Sequence, residues 1–240
     1  MATLFISDLH LCPSRPHINR IFRDFLAGPA RQAESLYILG DLFEYWAGDD
    51  DLDDPFNAGI CAALCELSKS GVPIFFMAGN RDFLAGEGFA RTAGLTLLPE
   101  PTVVELHGTP TLLMHGDTLC TDDDAYQAFR AEVRTVDWQQ AFLALPLPRR
   151  KSQIEALRRE SEAQQRIKPI LILDVNTAAV LQALTFHGCA RLIHGHTHRP
   201  AHHNLIVEGQ PCERWVLQDW YETGGYLACD ESGCKQATLG

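Results

Sequence analysis

Five short apolar runs in this sequence each end in a cluster of Asp, Asn or His, in most cases beside a glycine. A short apolar run bounded by turn residues is typical of a buried strand, and α/β sheets place their functional groups at the carboxyl ends of strands. The pattern therefore predicts that the five clusters lie at the carboxyl ends of strands. In chain order they are Asp8-Leu9-His10, Gly40-Asp41, Gly79-Asn80-Arg81-Asp82, His115-Gly116-Asp117 and Gly195-His196-Thr197-His198.

The first part of the chain predicts strands that alternate with amphipathic helices. One helix is predicted from Pro16, because apolar residues recur after it at the spacing of one helical face. A second is predicted between an N-capping Asp54 and a terminating Gly71. The predicted strands are 3–7, 35–39 and 72–77.

The later part of the chain predicts hairpins and one more helix. A hairpin is expected from strands 103–106 and 111–114, joined by the turn residues 107–110,. A helix from Asn176 to His187 and a strand over 191–193 follow, and two or three hairpin-like strands complete the chain. Alternating strands and helices followed by hairpins indicate an α/β fold of two packed sheets flanked by helices.

The segment from Asp122 to Lys168 interrupts this order between the fourth and fifth clusters. It has a helical pattern throughout and carries large apolar residues such as Trp138 and Phe142. From Arg130 to Lys168 it contains nine Lys and Arg against five Asp and Glu, although the whole chain has a formal net charge of −11. We expect an inserted helical pair with an apolar inner face and basic outer residues.

The charge and the cysteines restrict the class of protein. A net charge of −11 disfavours a general nucleic-acid binder, which needs a basic face, but it permits an anionic substrate at a metal site,. Neither a basic secretory leader nor a run of about 18 apolar residues is visible. The eight cysteines form no C-x-x-C pair and are expected to be reduced thiols of a cytoplasmic protein,.

The five clusters together indicate a metal centre. In an extended D-x-H or H-x-H segment the two outer side chains point the same way, so both can reach one ion. Alone, Asp8, Asp41 or Asn80 could be a turn residue, and His115 could be a satisfied core histidine; five such clusters at strand ends favour shared chemistry. A set of imidazole, carboxylate and amide ligands suits Mn²⁺, Fe or Zn²⁺ and argues against a thiolate-rich structural zinc site.

The motif set D-x-H, G-D, G-N-x-D, H-G and G-H-x-H resembles the calcineurin-like metallophosphoesterase superfamily. This resemblance implies a four-layer αββα sandwich in a single domain over 1–240, with a helical cap inserted at 122–168. Longer stretches resemble the UDP-2,3-diacylglucosamine diphosphatases, a family of lipid A biosynthesis pyrophosphatases in Gram-negative bacteria. Those stretches are 6–11, 37–44, 79–84, 115–121 and 193–200.

The resemblance implies two divalent metal ions, expected to be Mn²⁺. Asp41 would bridge both ions, and Asp82 and Asp117 would orient the ligands rather than bind metal. The ligands of one ion would be Asp8, His10 and His198. Those of the other would be Asn80, His115 and His196.

Arg81 indicates which type of phosphate bond is cleaved. Many members of the superfamily have histidine at this position, where it can protonate an alkoxide leaving group. Arginine stays charged and cannot donate that proton, but it can bind phosphate oxygens and stabilise negative charge during catalysis. A phosphate leaving group needs no proton, so Arg81 favours pyrophosphate cleavage. The resemblance also implies substrate contacts from Asn80, Arg81, Asp123, Ser161, Gln165, Lys168 and His196.

The expected reaction is metal-dependent hydrolysis of UDP-2,3-diacylglucosamine, with water attacking the α-phosphorus. The products would be UMP and 2,3-diacylglucosamine 1-phosphate (lipid X). The enzyme would bind the anionic cytoplasmic face of the inner membrane peripherally, without a nucleic-acid or protein partner. One alternative is a soluble nucleotide or nucleotide-sugar diphosphatase of the same superfamily. Another is a catalytically dead scaffold, although a scaffold has no need for a complete ligand set.

Overall fold

The computed structural model describes the backbone of residues 1–165 and 174–240 and the side chains of residues 1–159 and 174–240. The helices are α1 (Pro16–Ala27), α2 (Pro55–Lys69), α3 (Glu87–Ala93), α4 (Asp124–Val133), α5 (Val136–Leu143), α6 (Leu147–Gln165) and α7 (Thr177–His187). The strands are β1 (Thr3–Ile6), β2 (Ser35–Leu39), β3 (Ile74–Met77), β4 (Thr96–Leu98), β5 (Thr102–Leu106), β6 (Thr109–Leu113), β7 (Arg191–His194), β8 (Ala201–Val207), β9 (Gln210–Val216), β10 (Gly224–Asp230) and β11 (Gly233–Leu239).

The strands form two sheets. One has six strands in the order β11-β10-β1-β2-β3-β4, and the other has five in the order β5-β6-β7-β9-β8. Strands β1 to β4 run parallel, as do β6, β7 and β9. The carboxyl ends of each parallel set therefore lie along one edge of its sheet.

Alternation along the strands separates three apolar cores. In β1, Leu4 and Ile6 pack with α1, α2 and α3, whereas Phe5 points to the other face and packs between the two sheets,. On the far side, Leu112 and Leu192 of the second sheet pack with α7. The order of layers is therefore helices, sheet, sheet, helix, which confirms the predicted αββα sandwich.

The two early helices form as the sequence predicts. The Asp54 side chain caps α2 by accepting hydrogen bonds from the backbone N–H groups of Phe56 and Asn57,. Helix α1 buries one apolar face against the first sheet, which fixes its orientation,. That face consists of Ile18, Ile21, Phe22, Phe25 and Leu26.

Several boundaries differ from the prediction. Strands β5 and β6 join through His107 and Gly108 alone, because Thr109 and Pro110 pair with β5. Four strands, β8 to β11, follow β7 where two or three were expected. Helix α3 and strand β4 were not predicted, since segments of this length carry little periodic signal,.

The prediction that all cysteines are reduced is wrong for one pair. Cys229 and Cys234 face each other across β10 and β11 and form a disulfide bond. Their separation in sequence gave no indication of this, because the hairpin that brings them together was not predicted in detail. The other six cysteines are free.

Between β6 and α7, the residues that the structure describes form three helices, α4 to α6, where a helical pair was expected. We refer to residues 124–165 as the helical segment. The expectation of basic outer residues is wrong for two arginines of α6. Arg150 is 1% exposed, donates to the backbone oxygen of Ala47 at 2.6 Å and pairs with Asp50. Arg158 pairs with Glu44 at 2.6 Å. Acidic groups on the main domain therefore turn these side chains inward.

Within the described residues, no helix combines the length and the apolar character needed to cross a membrane. The helical segment does expose large apolar side chains. These are Phe129, Val136, Leu143 and Leu157.

Candidate active site

The five clusters meet where the two sheets present the carboxyl ends of their parallel strands. Loops from neighbouring strands are joined by backbone hydrogen bonds, from Asp8 N to Gly40 O at 3.1 Å and from His10 N to Asp41 O at 3.0 Å. In the second sheet, Gly195 N donates to His115 O at 2.9 Å. The clusters lie at the carboxyl ends of strands, as predicted. The first three come from one sheet and the last two from the other.

The backbone at this edge is strained. Five of the seven predicted metal ligands have a positive φ, between 49° and 67°. Among the described non-glycine residues only His107 and Glu208 share this conformation, and both lie in hairpin turns. Such conformations cost free energy and concentrate at functional sites. The five residues are Asp8, His10, Asp41, His196 and His198.

Asp8, His10 and His198 form the first cluster. The Nε2 atoms of His10 and His198 lie 3.3 Å apart, and His198 Nε2 lies 3.4 Å from Asp8 Oδ1. His10 Nε2 is also 3.9 Å from Asp41 Oδ2. Although burial raises the pKa of Asp8, its ion pair with His198 and the charges of the other nearby histidines keep that pKa below its ordinary value,.

Asn80, His115 and His196 form the second cluster. Asn80 Oδ1 lies 3.0 Å from His115 Nε2 and 2.9 Å from His196 Nδ1. His115 Nε2 is 3.8 Å from Asp41 Oδ1. The other ring nitrogen of His115 lies 2.9 Å from the backbone oxygen of Leu39, which favours the tautomer that leaves Nε2 free to bind a metal,.

Asp41 lies between the two clusters and presents one oxygen to each. Burial raises the pKa of this carboxyl group to about 7, and the nearby Asp82 and Asp8 charges also raise it,. A cation beside each oxygen would offset the free-energy cost of burying the ionised carboxylate. Asp8 Oδ1 is buried and has no hydrogen-bond partner in the structure. An orphaned buried carboxylate oxygen in a set of nitrogen and oxygen ligands fits a pair of divalent cations.

Two glycines allow the strand ends to approach. Gly79 packs against Asp41, and a Cβ at this position would collide with the Asp41 side chain and its backbone nitrogen. Gly40 has φ +88°, and a Cβ there would lie 2.5 Å from the Nδ1 atom of His115. Larger side chains at these positions would displace the bridging carboxylate or His115.

Asp82 holds two of the loops together. Its fully buried carboxylate accepts hydrogen bonds from Gly79 N at 2.8 Å and Leu42 N at 2.7 Å, with longer contacts to the N–H groups of Asp41 and Phe43. The sequence predicts that Asp82 orients metal ligands, and these contacts support that role because they fix the backbone on both sides of the site.

We expect Asp82→Ala to lower the free energy of unfolding by about 3 kcal/mol, since it leaves several buried N–H groups without an acceptor. Denaturant unfolding in the presence of a chelator measures this effect without the contribution of bound metal. Asp53→Ala is the matched control, because Asp53 is exposed and its loss should change stability by less than about 0.5 kcal/mol. Equal stabilities for Asp82→Ala and the wild type would contradict the role of Asp82.

Glu100 and Arg130 support the second cluster, although the sequence analysis did not identify them. Glu100 Oε1 accepts a hydrogen bond from the backbone of His115 at 2.7 Å. Arg130 of α4 donates to Glu100 Oε2 at 2.8 Å and to Asp117 Oδ2 at 2.7 Å. These residues have no motif of their own, and only the fold brings them to the site.

Tyr126 provides a second link from α4 to the site. Its hydroxyl donates to Asp117 Oδ2 at 2.7 Å, and its ring stacks on His196 with a centroid distance of 5.9 Å. Burial, together with Asp117, raises the pKa of Tyr126 well above 10, so the hydroxyl stays protonated as a donor. The predicted role of Asp117 in orienting ligands stays a prediction, since its described side-chain contacts are with α4.

A cavity of about 560 Å³ joins both clusters to the helical segment. At one end it is lined by His10, Asp41, Asn80 and the histidines of the last cluster. The rest of its lining includes arginines such as Arg134 and Arg158. It also includes an apolar wall of eight side chains, most of which come from α4, α5 and α6. These are Phe83, Leu84, Phe129, Val133, Trp138, Phe142, Ile154 and Leu157.

Four of the seven predicted substrate contacts line this cavity, namely Asn80, Arg81, Asp123 and His196. The Nε atom of Arg81 is buried without a hydrogen-bond partner in the structure. The side chains of Ser161 and Gln165, and Lys168 as a whole, lie outside the described residues.

A second and more open groove of about 680 Å³ lies beside α2. Its lining includes Asp49, Asp50, Asp53 and Glu66, and it contains none of the predicted site residues. Chemistry is therefore assigned to the smaller cavity, where the ligand clusters converge.

Two stacked sheets with a carboxylate between two clusters of nitrogen and oxygen ligands define the class of metal-dependent phosphoesterases. The model of the calcineurin-like phosphoesterase family matches residues 1–200. The chain belongs to this family, whose members use divalent metal ions.

Curated relatives match the chain over nearly its full length. A UDP-2,3-diacylglucosamine hydrolase of Aromatoleum aromaticum is 54% identical over 97% of this chain and 95% of its own. A protein of the same name from Escherichia coli is 54% identical over 95% of this chain and 94% of its own. A solved structure described as a novel archaeal phosphodiesterase covers the full length of both chains at a TM-score of 0.49 and 12% identity. The family assignment rests on the sequence relatives.

Proposed function

We propose that this enzyme hydrolyses the pyrophosphate bond of UDP-2,3-diacylglucosamine and releases UMP and 2,3-diacylglucosamine 1-phosphate. The observation that carries this proposal is the single cavity that joins the two ligand clusters to an apolar wall. A substrate with a pyrophosphate and two acyl chains matches both ends of this cavity. The near-full-length relatives of that name support the same substrate.

The two ligand clusters and Asp41 account for metal binding. In this proposal Asp8, His10 and His198 hold one ion, the second cluster holds another, and Asp41 contacts both. When bound, the ions supply Lewis acidity that lowers the pKa of water and neutralises phosphate charge. Mn²⁺ is the metal proposed from the family resemblance, and a ligand set of imidazole nitrogen with carboxylate and amide oxygen is compatible with it.

Arg81 is proposed to stabilise the charge that develops on the phosphates. Its backbone N–H donates to Asp41 Oδ1 at 2.8 Å, which places the residue beside the bridging carboxylate. Its side chain lines the cavity, so the guanidinium group can bind phosphate oxygens during bond cleavage. The leaving phosphate needs no proton, and Arg81 cannot donate one because arginine stays charged. The residue therefore suits pyrophosphate cleavage.

The helical segment is proposed to act as a cap that covers the acyl chains. Phe129 and Leu157 are partly exposed and also line the cavity, so they can contact apolar chains,. Asp123 caps α4 at the same cavity and can contact the glucosamine phosphate. Ser161, Gln165 and Lys168 remain proposed contacts on the basis of sequence alone.

The proposed location is the anionic cytoplasmic face of the inner membrane, where an acylated substrate would reside. The exposed apolar residues of the helical segment support a peripheral contact there,. Val136 is 67% exposed and Leu143 is 40% exposed, and both lie on α5.

A comparison of substrates tests this proposal. With Mn²⁺ present, we expect kcat/KM for UDP-2,3-diacylglucosamine to exceed that for its deacylated analogue by at least about a hundredfold, because the analogue cannot bury acyl surface. Phe129→Ala should reduce kcat/KM only for the acylated substrate. Equal values for the two substrates would favour a soluble nucleotide-sugar diphosphatase instead. No turnover of either substrate would favour a scaffold.

Isotope labelling identifies the phosphorus that is attacked. Hydrolysis in ¹⁸O-labelled water should place the label in UMP, because the proposal has water adding to the α-phosphorus. Mass spectrometry of both products measures this, and label in the sugar phosphate would contradict the assignment.

A further inference from the structure

The proposed reaction raises the question of where the nucleoside binds. A pyrophosphate carries one group on each side, and the apolar wall accounts only for the diacylglucosamine. That wall adjoins the second cluster, since Tyr126 of α4 stacks on His196. The nucleoside therefore belongs on the side of the first cluster.

Tyr221 lies on that side of the cavity. It lines the cavity, and its side chain is 50% exposed. Its ring centroid is 5.6 Å from that of His10 and 5.4 Å from that of His198. A half-exposed aromatic ring thus borders the cluster that would hold one of the metal ions.

Arg15 packs over one face of the Tyr221 ring. The carbon of its guanidinium group lies 4.5 Å from the ring centroid, a cation–π geometry. The same guanidinium group donates to the backbone oxygen of His10 at 3.1 Å and to that of Trp220. Trp220 N in turn donates to Asp8 O at 3.0 Å. Through Arg15 and the neighbouring Trp220, these contacts connect Tyr221 to the loop that carries Asp8 and His10, two of the proposed metal ligands.

From this geometry we infer that Tyr221 is the stacking platform for the pyrimidine base of the nucleoside monophosphate half of the substrate. The inference rests on the proposed function, because it names the subsite for the second half of that substrate. Stacking of a base on an aromatic side chain strengthens binding by about tenfold or more. An aromatic ring beside the phosphate site can therefore favour a nucleotide over a phosphate ester that lacks a base.

Direct binding tests the inference without turnover. Calorimetry on the Mn²⁺-loaded full chain would compare UMP with ribose 5-phosphate, which lacks the base. The wild type should bind UMP about tenfold more tightly. Tyr221→Ala should lose that preference while its affinity for ribose 5-phosphate stays unchanged, which also shows that the protein is folded and metal-loaded. Tyr221→Phe should keep the preference, since the ring is retained. Phe186→Ala is the control, because Phe186 is 82% exposed on α7.

Four results would overturn the inference, and three of them concern the wild type and Tyr221→Ala. The wild type could bind both ligands equally, Tyr221→Ala could keep the preference for UMP, or Tyr221→Ala could lose affinity for both ligands alike. The last result would mean that Tyr221 supports the metal site rather than the base. Loss of the preference in Tyr221→Phe would equally contradict stacking. Turnover of UDP-2,3-diacylglucosamine by the wild type is measured separately. A failure of the proposed function can therefore be distinguished from a failure of the base-stacking inference.

Discussion

Asp41→Asn is expected to reduce kcat by about a thousandfold and to lower the bound metal content below two ions per chain. The substitution keeps the size of the side chain but replaces a charged oxygen with an amide NH₂ group, which cannot bind a cation. Because Asp41 presents one oxygen to each cluster, the change affects both halves of the site. Loss of a single preorganised electrostatic group commonly costs about a hundredfold to a thousandfold in rate.

The measurement combines steady-state kinetics with elemental analysis of the dialysed protein. Asp24→Asn is the matched control, because it makes the same chemical change at an exposed position on α1. Full turnover with two ions bound to Asp41→Asn would remove the basis for a bridging carboxylate. Thermal unfolding should show that the variant remains folded, because asparagine removes the buried negative charge of Asp41, whose burial is unfavourable in the absence of metal,.

Arg81→Ala is expected to reduce kcat by about a hundredfold or more while the metal content stays at two ions. The guanidinium group is proposed to bind phosphate oxygens and not to affect metal binding. The variant should therefore lose kcat without losing bound metal. Arg81→Lys should recover part of the rate, because it restores the charge but not the paired N–H donors. Arg91→Ala removes an exposed arginine of α3 and serves as the control.

Two outcomes would count against this role for Arg81. One is an unchanged kcat in Arg81→Ala. The other is a parallel loss of metal and rate, which would mean that Arg81 only supports the loop containing Asn80. If Arg81→Lys matched the wild type, charge alone would suffice and bidentate binding would be excluded.

The sequence predicts the sandwich and the metal clusters because both depend on local patterns. Apolar runs mark the strands, and parallel strands bring their carboxyl ends to one edge of their sheet, so the first sheet places Asp8, Asp41 and Asn80 together without any knowledge of loop structure,. The position of His115 beside them follows from the packing of the second sheet on the first. The N-cap Asp54 and the apolar face that follows Pro16 fix helices by equally local rules,.

Other parts of the site follow from tertiary contacts and carry no local signal. Glu100 and Arg130 reach the second cluster from different elements, and neither lies in a motif. The inward direction of Arg150 depends on the acidic loop that contains Asp50, which a count of basic residues cannot show. The Cys229–Cys234 disulfide likewise depends on the register of two strands.

The left-handed backbone of the ligand loops was also beyond sequence reasoning. Glycine is the residue that usually signals a positive φ, yet five of the ligand residues adopt it with side chains present,. Hydrogen bonds between neighbouring loops, such as Asp8 N to Gly40 O, hold this conformation. The strain becomes visible only when the loops are packed together.

Anomalous X-ray diffraction from crystals grown with Mn²⁺ tests the central claim most directly. The account predicts two strong peaks on opposite sides of the Asp41 carboxylate. One peak should lie among Asp8, His10 and His198, and the other among Asn80, His115 and His196. A single peak, or peaks away from Asp41, would contradict a paired metal site at this sheet edge.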